Sequence, residues 1–349
     1  MSASKTRACY LHIGPHKTGS SSIQQFVREN EMALAARGLR FPVIVKENGK
    51  LARNHRLLAA PDELTEDGDI RPGAKLWPQV DAVARAGEAD ILLSHESFVT
   101  ALPGLGSLDR IVKYFGKRGY AVTVIAYVRD QPGWLNSWYV QNQKRLNGEQ
   151  SFDGFVEEFA ASGRVEPGRY LAPFFEDPRI AVDVVSFERA ISAGLEADFL
   201  RRCGVEDIDG LVATPIRNVN AGAKTVYAGQ QIMKRLGRPL RNYDCYGRIY
   251  REFKASFQEF GWESRPYVAL DQHLYETIRS RYAPTNDAFA REHFGAAWEE
   301  LVPARTYERS VLDPTAATPG EMEQIEAVVE RALATFAKKA GKAGKRTAD

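Results

Sequence analysis

The sequence has few cysteines and no long apolar run. Its 349 residues include three cysteines, Cys9, Cys203 and Cys245, and no CxxC pair. An odd number without such a pair predicts no disulfide framework. No stretch approaches the ~20 apolar residues that a transmembrane helix needs, and the short apolar run near the N-terminus leads into a glycine turn, unlike a secretory signal. These features predict a cytoplasmic, reduced protein without stable membrane insertion.

A large excess of charge of either sign is also missing. Lys and Arg number 47 and Asp and Glu 45, which gives a formal net charge of +2. This balance is too mild to predict a nucleic-acid partner. A hydrophobic content of 44% and a charged content of 26% are ordinary for a globular protein, so we expect charge to matter only locally.

Strand-like and helix-like segments alternate through the first half of the chain. A helical pattern begins at Ile23 and ends near Gly38, and further helices are expected near 80–86 and 109–118. Pro42 favours an edge position for the second strand. This alternation predicts an α/β fold with three layers, in which helices flank a mainly parallel sheet. The expected strands are residues 9–13, 39–45, 90–93, 121–128 and 180–187.

The second half of the chain is mainly helical in pattern. We expect a single domain over residues 1–340, with an α/β core over 7–190 and a mainly helical C-terminal part over 190–340. The last apolar face spans residues 321–336, and the basic residues 341–349 are expected to form a disordered tail.

A phosphate-binding pattern follows the first strand. Residues 10–24 read Y-L-H-I-G-P-H-K-T-G-S-S-S-I-Q, which is a strand, a glycine turn, a lysine, a run of hydroxyl residues and the start of a helix. Unpaired N–H groups and the dipole at a helix N-terminus favour an anion. Gly14 and Gly19 permit close backbone approach, and Lys17 supplies a positive charge. The segment therefore predicts a phosphate site.

The order of these residues does not match the phosphate-loop signature of NTPases, because Lys17 precedes Gly19 instead of following it. The order K-T-G-S-S-S resembles the 5′-phosphosulfate loop of sulfotransferases that use 3′-phosphoadenosine 5′-phosphosulfate (PAPS). This resemblance implies the P-loop NTPase-like fold of that family. It also implies that Lys17 contacts the oxygen bridging phosphorus and sulfur. The 5′-phosphate would be held by Lys17, Thr18, Gly19, Ser20, Ser21 and Ser22.

A second segment resembles the 3′-phosphate site of the same family. Arg129 follows the most apolar strand, and Ser137 comes eight residues later on a predicted helix. Ligands of α/β proteins bind at the carboxyl ends of strands, so Arg129 is well placed. The serine lies about two helical turns further on. The resemblance implies that Arg129 and Ser137 together bind the 3′-phosphate. Fainter similarities to bacterial members of the family occur at Asn54-His55, Ser94-His95-Glu96, Asn286-Asp287-Ala288-Phe289-Ala290 and Phe294-Gly295.

The implied reaction transfers a sulfuryl group from PAPS to a hydroxyl or amine of an acceptor, by family analogy a saccharide or glycoconjugate. Lys17 would stabilise the leaving oxygen. The acceptor's proton needs a base, for which Glu96 is the first candidate and His55 the rival. His95 is expected to point elsewhere if strand alternation persists. We find no CxxC pair or acidic cluster with metal-ligand spacing, so we expect no metal requirement.

Two other functions remain open from the sequence. A P-loop kinase or NTPase acting on a small molecule would require Mg²⁺ and would favour ATP. A non-catalytic nucleotide-binding module would keep the fold without turnover. The oligomeric state has no signature in the sequence.

Overall fold

A computed structural model describes residues 6–346, apart from Glu88, Glu149 and residues 214–220, 238–239 and 241–242. The chain divides into two compact units. The first, here called the sheet unit, comprises Met1–Asp130, Arg164–Ile216 and Ala283–Pro303. The second, here called the helical unit, comprises Gln131–Gly163, Arg217–Tyr282 and Ala304–Asp349. The units are therefore interleaved along the chain and do not divide near residue 190. The expectation of a single domain over 1–340 stays a prediction.

The sheet unit contains a five-stranded sheet in which every pairing is parallel. The strand order is β2-β3-β1-β4-β5. This confirms the predicted α/β class with a parallel sheet flanked by helices and a helical C-terminal part. The strands are β1 (Arg7–Gly14), β2 (Leu39–Arg40), β3 (Asp90–Ser94), β4 (Tyr120–Val128) and β5 (Ile180–Ser186).

The sheet has an apolar core on each face. Alternate side chains of a strand point to opposite faces, so Cys9, Leu11 and Ile13 of β1 belong to one core. Tyr10 belongs to the other, together with Ile125 of β4. Helices cover both faces, which gives the predicted three layers. Those of the sheet unit are α1 (Ser20–Glu29), α2 (Glu31–Ala36), α3 (Trp77–Arg85), α4 (Phe98–Gly104), α5 (Ser107–Gly116), α8 (Pro167–Phe175), α9 (Phe187–Ala193), α10 (Leu195–Arg202) and α14 (Trp298–Leu301), with short 3₁₀ helices at Arg56–Ala59 and Pro61–Glu63.

The single helix expected between Ile23 and Gly38 is wrong, because α1 ends at Glu29 and α2 begins at Glu31. Asn30 separates them. Its side-chain amide donates to the carbonyl of Phe26 and to that of Val212, and its amide oxygen accepts from the Val212 N–H. A side chain that bonds backbone groups in this way competes with helix continuation.

The second strand is shorter than expected but lies at the predicted edge of the sheet. Only Leu39 and Arg40 pair with β3, whereas the sequence indicated a strand to residue 45. Pro42 has no N–H for a sheet hydrogen bond and so ends the pairing early.

The helical unit packs its helices around a separate apolar core, which includes Ile232, Phe253, Phe257 and Val329. The helix α15 (Pro319–Arg346) continues beyond the end expected at 336 and includes most of the expected disordered tail, while residues 347–349 lie outside the described residues. The other helices of this unit are α6 (Gln131–Lys144), α7 (Phe152–Ser162), α11 (Ala223–Leu236), α12 (Tyr246–Glu259) and the 3₁₀ helix Trp262–Ser264, and α13 (Gln272–Phe294) has residues in both units.

No helix in the described part of the chain combines the length and apolar character that membrane crossing would require.

Candidate functional site

The predicted site residues of the sheet unit follow the carboxyl ends of neighbouring strands. The central strand β1 pairs with β3 on one side and with β4 on the other. The segments after these strands, and after β5, therefore meet at one edge of the sheet, where α/β proteins bind ligands. We call this region the carboxyl-edge site, formed by residues 14–22, 95–96, 129 and 187–188.

Gly14 lies at a position where a larger residue does not fit. Its φ is +88°, and a Cβ atom there would lie 2.7 Å from the Cα of Glu96 and 2.8 Å from the Glu96 carbonyl oxygen. Both neighbours are backbone atoms, which cannot move aside as a side chain can. The absence of a side chain at Gly14 thus lets the loop of residues 14–22 cross directly over the segment that carries Glu96.

Gly19 forms the N-cap of α1 in the left-handed conformation, with φ +79°. Its carbonyl accepts from the N–H groups of Ser22 and Ile23 at 2.9 and 3.1 Å. The N–H groups of Ser20 and Ser21 lie in the first turn, where a helix has no acceptor of its own to offer. Together with the helix dipole, this end of α1 favours an anion.

The hydroxyl groups of the loop have different roles. Thr18 is buried, and its hydroxyl donates to the carbonyl of Pro15 at 2.6 Å. Ser20 donates more weakly to the same carbonyl at 3.5 Å. Ser21 is exposed and Ser22 is half-buried. The Thr18 hydroxyl therefore closes the loop on itself, and the later serines are the hydroxyls nearest to solvent.

Lys17 and Arg129 are joined by a hydrogen bond. Lys17 has a φ of +69°, and its carbonyl accepts from Nη1 of Arg129 at 2.8 Å. The Arg129 side chain is 17% exposed, with its Nε 3.9 Å from Oε1 of Glu188 and its guanidinium 5.2 Å from the ring centre of Phe187. Sequence reasoning missed Phe187 and Glu188, although both lie at the end of a predicted strand.

Ser137 belongs to the helical unit, on α6. Its hydroxyl donates to the carbonyl of Gly133 at 2.9 Å, one helical turn earlier. The convergence of Ser137 with Arg129 on one phosphate stays a prediction.

Glu96 is surrounded by three polar side chains. Its Oε1 lies 3.9 Å from Nδ1 of His16, its Oε2 lies 3.6 Å from Nε2 of His95, and Gln24 donates to Oε2 at 3.4 Å. Burial raises the pKa of Glu96, but His95, its own backbone N–H, His16 and Gln24 lower it, and the lowering prevails. Glu96 is therefore an ionised carboxylate beside the loop of residues 14–22 at neutral pH.

The expectation that His95 points elsewhere assumed that strand alternation persists beyond β3, and this condition is not met. The strand β3 ends at Ser94, so alternation no longer applies, and residues 96–97 form a turn. Nδ1 of His95 accepts from the Ser97 N–H at 3.0 Å, which leaves Nε2 to carry the proton that faces Glu96. Burial lowers the pKa of His95 to about 4, against an opposing effect of Glu96.

His55 is buried with both ring nitrogens engaged. Nδ1 accepts from the Ser94 N–H at 2.9 Å, and Nε2 donates to the Pro42 carbonyl at 2.8 Å. Burial lowers its pKa to about 4. A neutral imidazole whose lone pair is already occupied is poorly suited to accept a substrate proton. The contacts of His55 instead fix the end of β3, two residues before Glu96.

A buried polar cluster extends from this strand end. The hydroxyl of Ser94 lies 2.8 Å from Nδ1 of His12 and accepts from Nε2 of Gln24 at 3.2 Å. His12 of β1 is packed in the core, with its ring centre 5.0 Å from that of Phe199, and burial lowers its pKa to about 4. Gln24 was missed from the sequence because nothing marks a helical glutamine as a site residue.

The described residues contain no group of three or more His, Cys, Asp or Glu side chains arranged to hold a metal ion. The predicted independence from metal stays a prediction. In comparisons with known proteins, no protein-family model matches the chain. No curated protein matches it either.

Proposed function

We propose that the chain is an enzyme that transfers a sulfuryl group from PAPS to a hydroxyl or amine of an acceptor. The observation that carries this proposal is the loop of residues 14–22, which joins the central strand to the N-terminus of α1 with Lys17 before the left-handed Gly19. This arrangement presents first-turn N–H groups and a lysine on one short loop, which suits a phosphosulfate group.

The proposed donor site uses the loop for the 5′-phosphate. The N–H groups of Ser20 and Ser21 and the hydroxyls of Ser21 and Ser22 would bind its oxygens, while Thr18 and Gly19 hold the loop in shape. Arg129 would bind the 3′-phosphate through guanidinium donors other than the one bonded to Lys17.

In the proposed reaction, the bond between sulfur and the bridging oxygen of PAPS breaks, and a bond forms between sulfur and the acceptor oxygen or nitrogen. The electron pair of the broken bond stays on the 5′-phosphate of the product, 3′-phosphoadenosine 5′-phosphate (PAP). Lys17 would stabilise that developing charge. The proton of the acceptor passes to a base as the new bond forms.

Glu96 is our proposal for that base. Its contacts with His16 and Gln24 hold it beside the loop of residues 14–22, and its carboxylate is ionised at neutral pH, which is the form that accepts a proton. His55, the rival from the sequence, already uses both nitrogens in hydrogen bonds to backbone groups. We therefore propose a positioning role for His55, through Ser94.

Calorimetry with PAP tests the donor site. Wild type should bind PAP, and Lys17→Ala should bind it ~10–100-fold more weakly, because one charge-assisted contact is lost. Lys50→Ala removes an exposed lysine outside the carboxyl-edge site and should leave the affinity unchanged. Mg-ATP should bind much more weakly than PAP.

Two results would redirect the proposal. A clear preference for Mg-ATP over PAP would favour a kinase or NTPase. Tight PAP binding without release of PAP from PAPS across a wide panel of hydroxyl and amine acceptors would favour a non-catalytic nucleotide-binding module.

A further inference from the structure

Exposed apolar side chains cluster in one short segment of the sheet unit. Of the ten large apolar residues that are exposed in the described part of the chain, four lie between residues 43 and 57. These are Val43, Val45, Leu51 and Leu57, with exposed fractions of 39%, 44%, 63% and 40%. Single exposed apolar residues are ordinary on a protein surface, whereas a group of them marks an interaction site. The clustering therefore indicates that this segment contacts a partner.

A fixed hairpin holds the apolar side chains in solvent. Val45 and Leu51 form an antiparallel bridge, so their side chains lie on the same face of the hairpin. The side-chain amide of Gln79 accepts from the Val45 N–H at 2.8 Å and donates to the Val45 carbonyl at 3.0 Å. Ile44, on the opposite face, is buried in the core of the sheet unit. The exposed face is therefore a property of the folded hairpin and not of a loose loop.

The same segment is basic, although the whole chain is almost neutral. Residues 40–57 contain one acid, Glu47, and five basic residues, so the local formal charge is +4 (five minus one) against +2 for the whole chain. The carboxylate of Glu47 is paired at 2.6 Å with Lys75, a cation from outside the segment. All five basic side chains are exposed: Arg40, Lys46, Lys50, Arg53 and Arg56. We call the exposed side chains of residues 40–57 the basic hairpin surface.

The basic hairpin surface lies at the same edge of the sheet as the carboxyl-edge site. The strand β2 ends at Arg40 and runs parallel to β3, so the segments that follow both strands leave the sheet at one edge. Towards the end of the surface, the His55 N–H donates to the Ser94 carbonyl at 3.2 Å, and Nδ1 of His55 accepts from the Ser94 N–H at 2.9 Å. The segment is thus bonded to the end of β3, two residues before Glu96.

The combination of aliphatic and basic side chains distinguishes between classes of partner. A nucleic acid offers phosphates to the cations but no apolar environment to exposed valine and leucine side chains. A second copy of the chain, related by a two-fold axis, would bring two surfaces of the same charge together. An anionic bilayer accepts both kinds of side chain, because aliphatic groups enter the boundary of the acyl region while Lys and Arg stay at the lipid phosphates.

We propose that the basic hairpin surface docks on an anionic lipid bilayer. Its valine and leucine side chains would enter the boundary between headgroups and acyl chains, and its lysine and arginine side chains would contact lipid phosphates. Docking of this kind uses a surface and needs no helix that crosses the membrane. The proposal does not depend on the proposed function, because it requires neither a nucleotide nor an acceptor.

Sedimentation of the full chain with lipid vesicles tests the proposal. The probes are vesicles of phosphatidylcholine alone and of phosphatidylcholine with phosphatidylglycerol at a ratio of about 2:1, in ~0.1 M salt. Wild type should bind the anionic vesicles at least about tenfold more tightly than the neutral ones. Lys46→Gln and Arg53→Gln should each weaken that binding about fivefold, because one cation near the lipid surface is lost. Leu51→Gln should weaken it about tenfold, because an amide gains nothing from the apolar boundary.

Arg28→Gln and Met32→Gln are the matched controls, one for charge and one for an apolar side chain. Both residues are exposed. They lie at the end of α1 and in α2, which leads into the amino end of β2 and so lies toward the opposite edge of the sheet. Both variants should bind anionic vesicles as wild type does. Circular dichroism of each variant confirms that it is folded.

A fluorescent label separates insertion of the hairpin from adsorption by charge alone. The three native cysteines are buried, so an environment-sensitive fluorophore attaches selectively to the new thiol of Leu51→Cys. Its emission should shift to shorter wavelength when anionic vesicles are added. The same label on Met32→Cys should show no shift.

The proposal fails if wild type binds anionic vesicles no more tightly than neutral ones. It also fails if Leu51→Gln binds them as tightly as wild type does, or if the label at position 51 does not shift, since charge alone would then explain the adsorption. A dimer that forms without vesicles and is abolished by Leu51→Gln would assign the surface to a second copy of the chain instead.

Discussion

At the scale of single residues, Gly14 lies so close to the backbone of Glu96 that a side chain does not fit there. We expect Gly14→Ala to destabilise the protein by about 3 kcal/mol or more, because the new Cβ would meet the Cα and carbonyl oxygen of Glu96. Gly49→Ala is the matched control, since Gly49 has a similar φ of +73° but a Cβ added there would have no atom within 4 Å. It should cost only about 1 kcal/mol.

Urea denaturation of both variants measures the difference. If Gly14→Ala and Gly49→Ala lower the free energy of unfolding equally, the positive φ alone accounts for the effect at position 14. The close approach to Glu96 would then have no energetic effect.

Charged residues and glycines of the candidate site can be recognised in the sequence. The contacts that these and other site residues make cannot. Lys17, Gly19 and Arg129 stand out because each is a cationic residue or a glycine that comes shortly after a predicted strand. The bond from Arg129 to the Lys17 carbonyl and the orientation of His95 toward Glu96 were not predictable, because they depend on the residue at which each strand ends.

At the scale of elements, the packing of α1 against α10 depends on Gly19. A Cβ at Gly19 would collide with Cδ2 of Leu195 and lie 3.2 Å from the Phe187 ring, in addition to the strain of a φ of +79°. We expect Gly19→Ala to cost about 2 kcal/mol or more. In a Leu195→Ala background, the same substitution should cost about 1 kcal/mol less, because the collision is removed while the backbone strain remains.

A double-mutant cycle by urea denaturation provides the measurement. If the two costs simply add, Leu195 moves aside without penalty, and the contact does not fix the position of α1.

The strands were easier to predict than the limits of the helices. A strand covered on both faces, such as β4, is a continuous run of apolar residues, and no other element gives that pattern at that length. The break at Asn30 depends instead on Val212, which is 182 residues away in the sequence. Hydrophobic periodicity contains no information about such a distant partner.

At the scale of the whole molecule, three buried histidines should make the protein sensitive to acid. His12, His55 and His95 each have a pKa of about 4 against an ordinary value of 6.5, with burial as the main cause. Between these values the unfolded chain binds protons that the folded protein does not, so stability falls as pH decreases from about 6.5 to about 4. Each histidine contributes at most about 1.4 kcal/mol per pH unit.

The free energy of unfolding in urea, measured at several pH values, tests this expectation. His12→Asn should reduce the slope below about pH 6.5 by up to about 1.4 kcal/mol per unit. A slope that is the same in wild type and His12→Asn would show that His12 becomes protonated in the folded protein.

The division into two units is also a property of the whole chain that local patterns do not contain. Segments 131–163 and 283–303 each belong to a unit that is mostly built from other parts of the sequence. Composition and periodicity describe neighbours along the chain, and membership of a unit is decided by contacts between residues far apart in sequence.

The hydrogen bond between Arg129 and the Lys17 carbonyl has a thermodynamic consequence. One guanidinium both shapes the loop proposed for the 5′-phosphate and is proposed to bind the 3′-phosphate. Occupancy of either position then changes the free energy of occupying the other, and this coupling is reciprocal. Under the proposed function, the two phosphate groups of the nucleotide are therefore recognised cooperatively, and their separate contributions to affinity do not add.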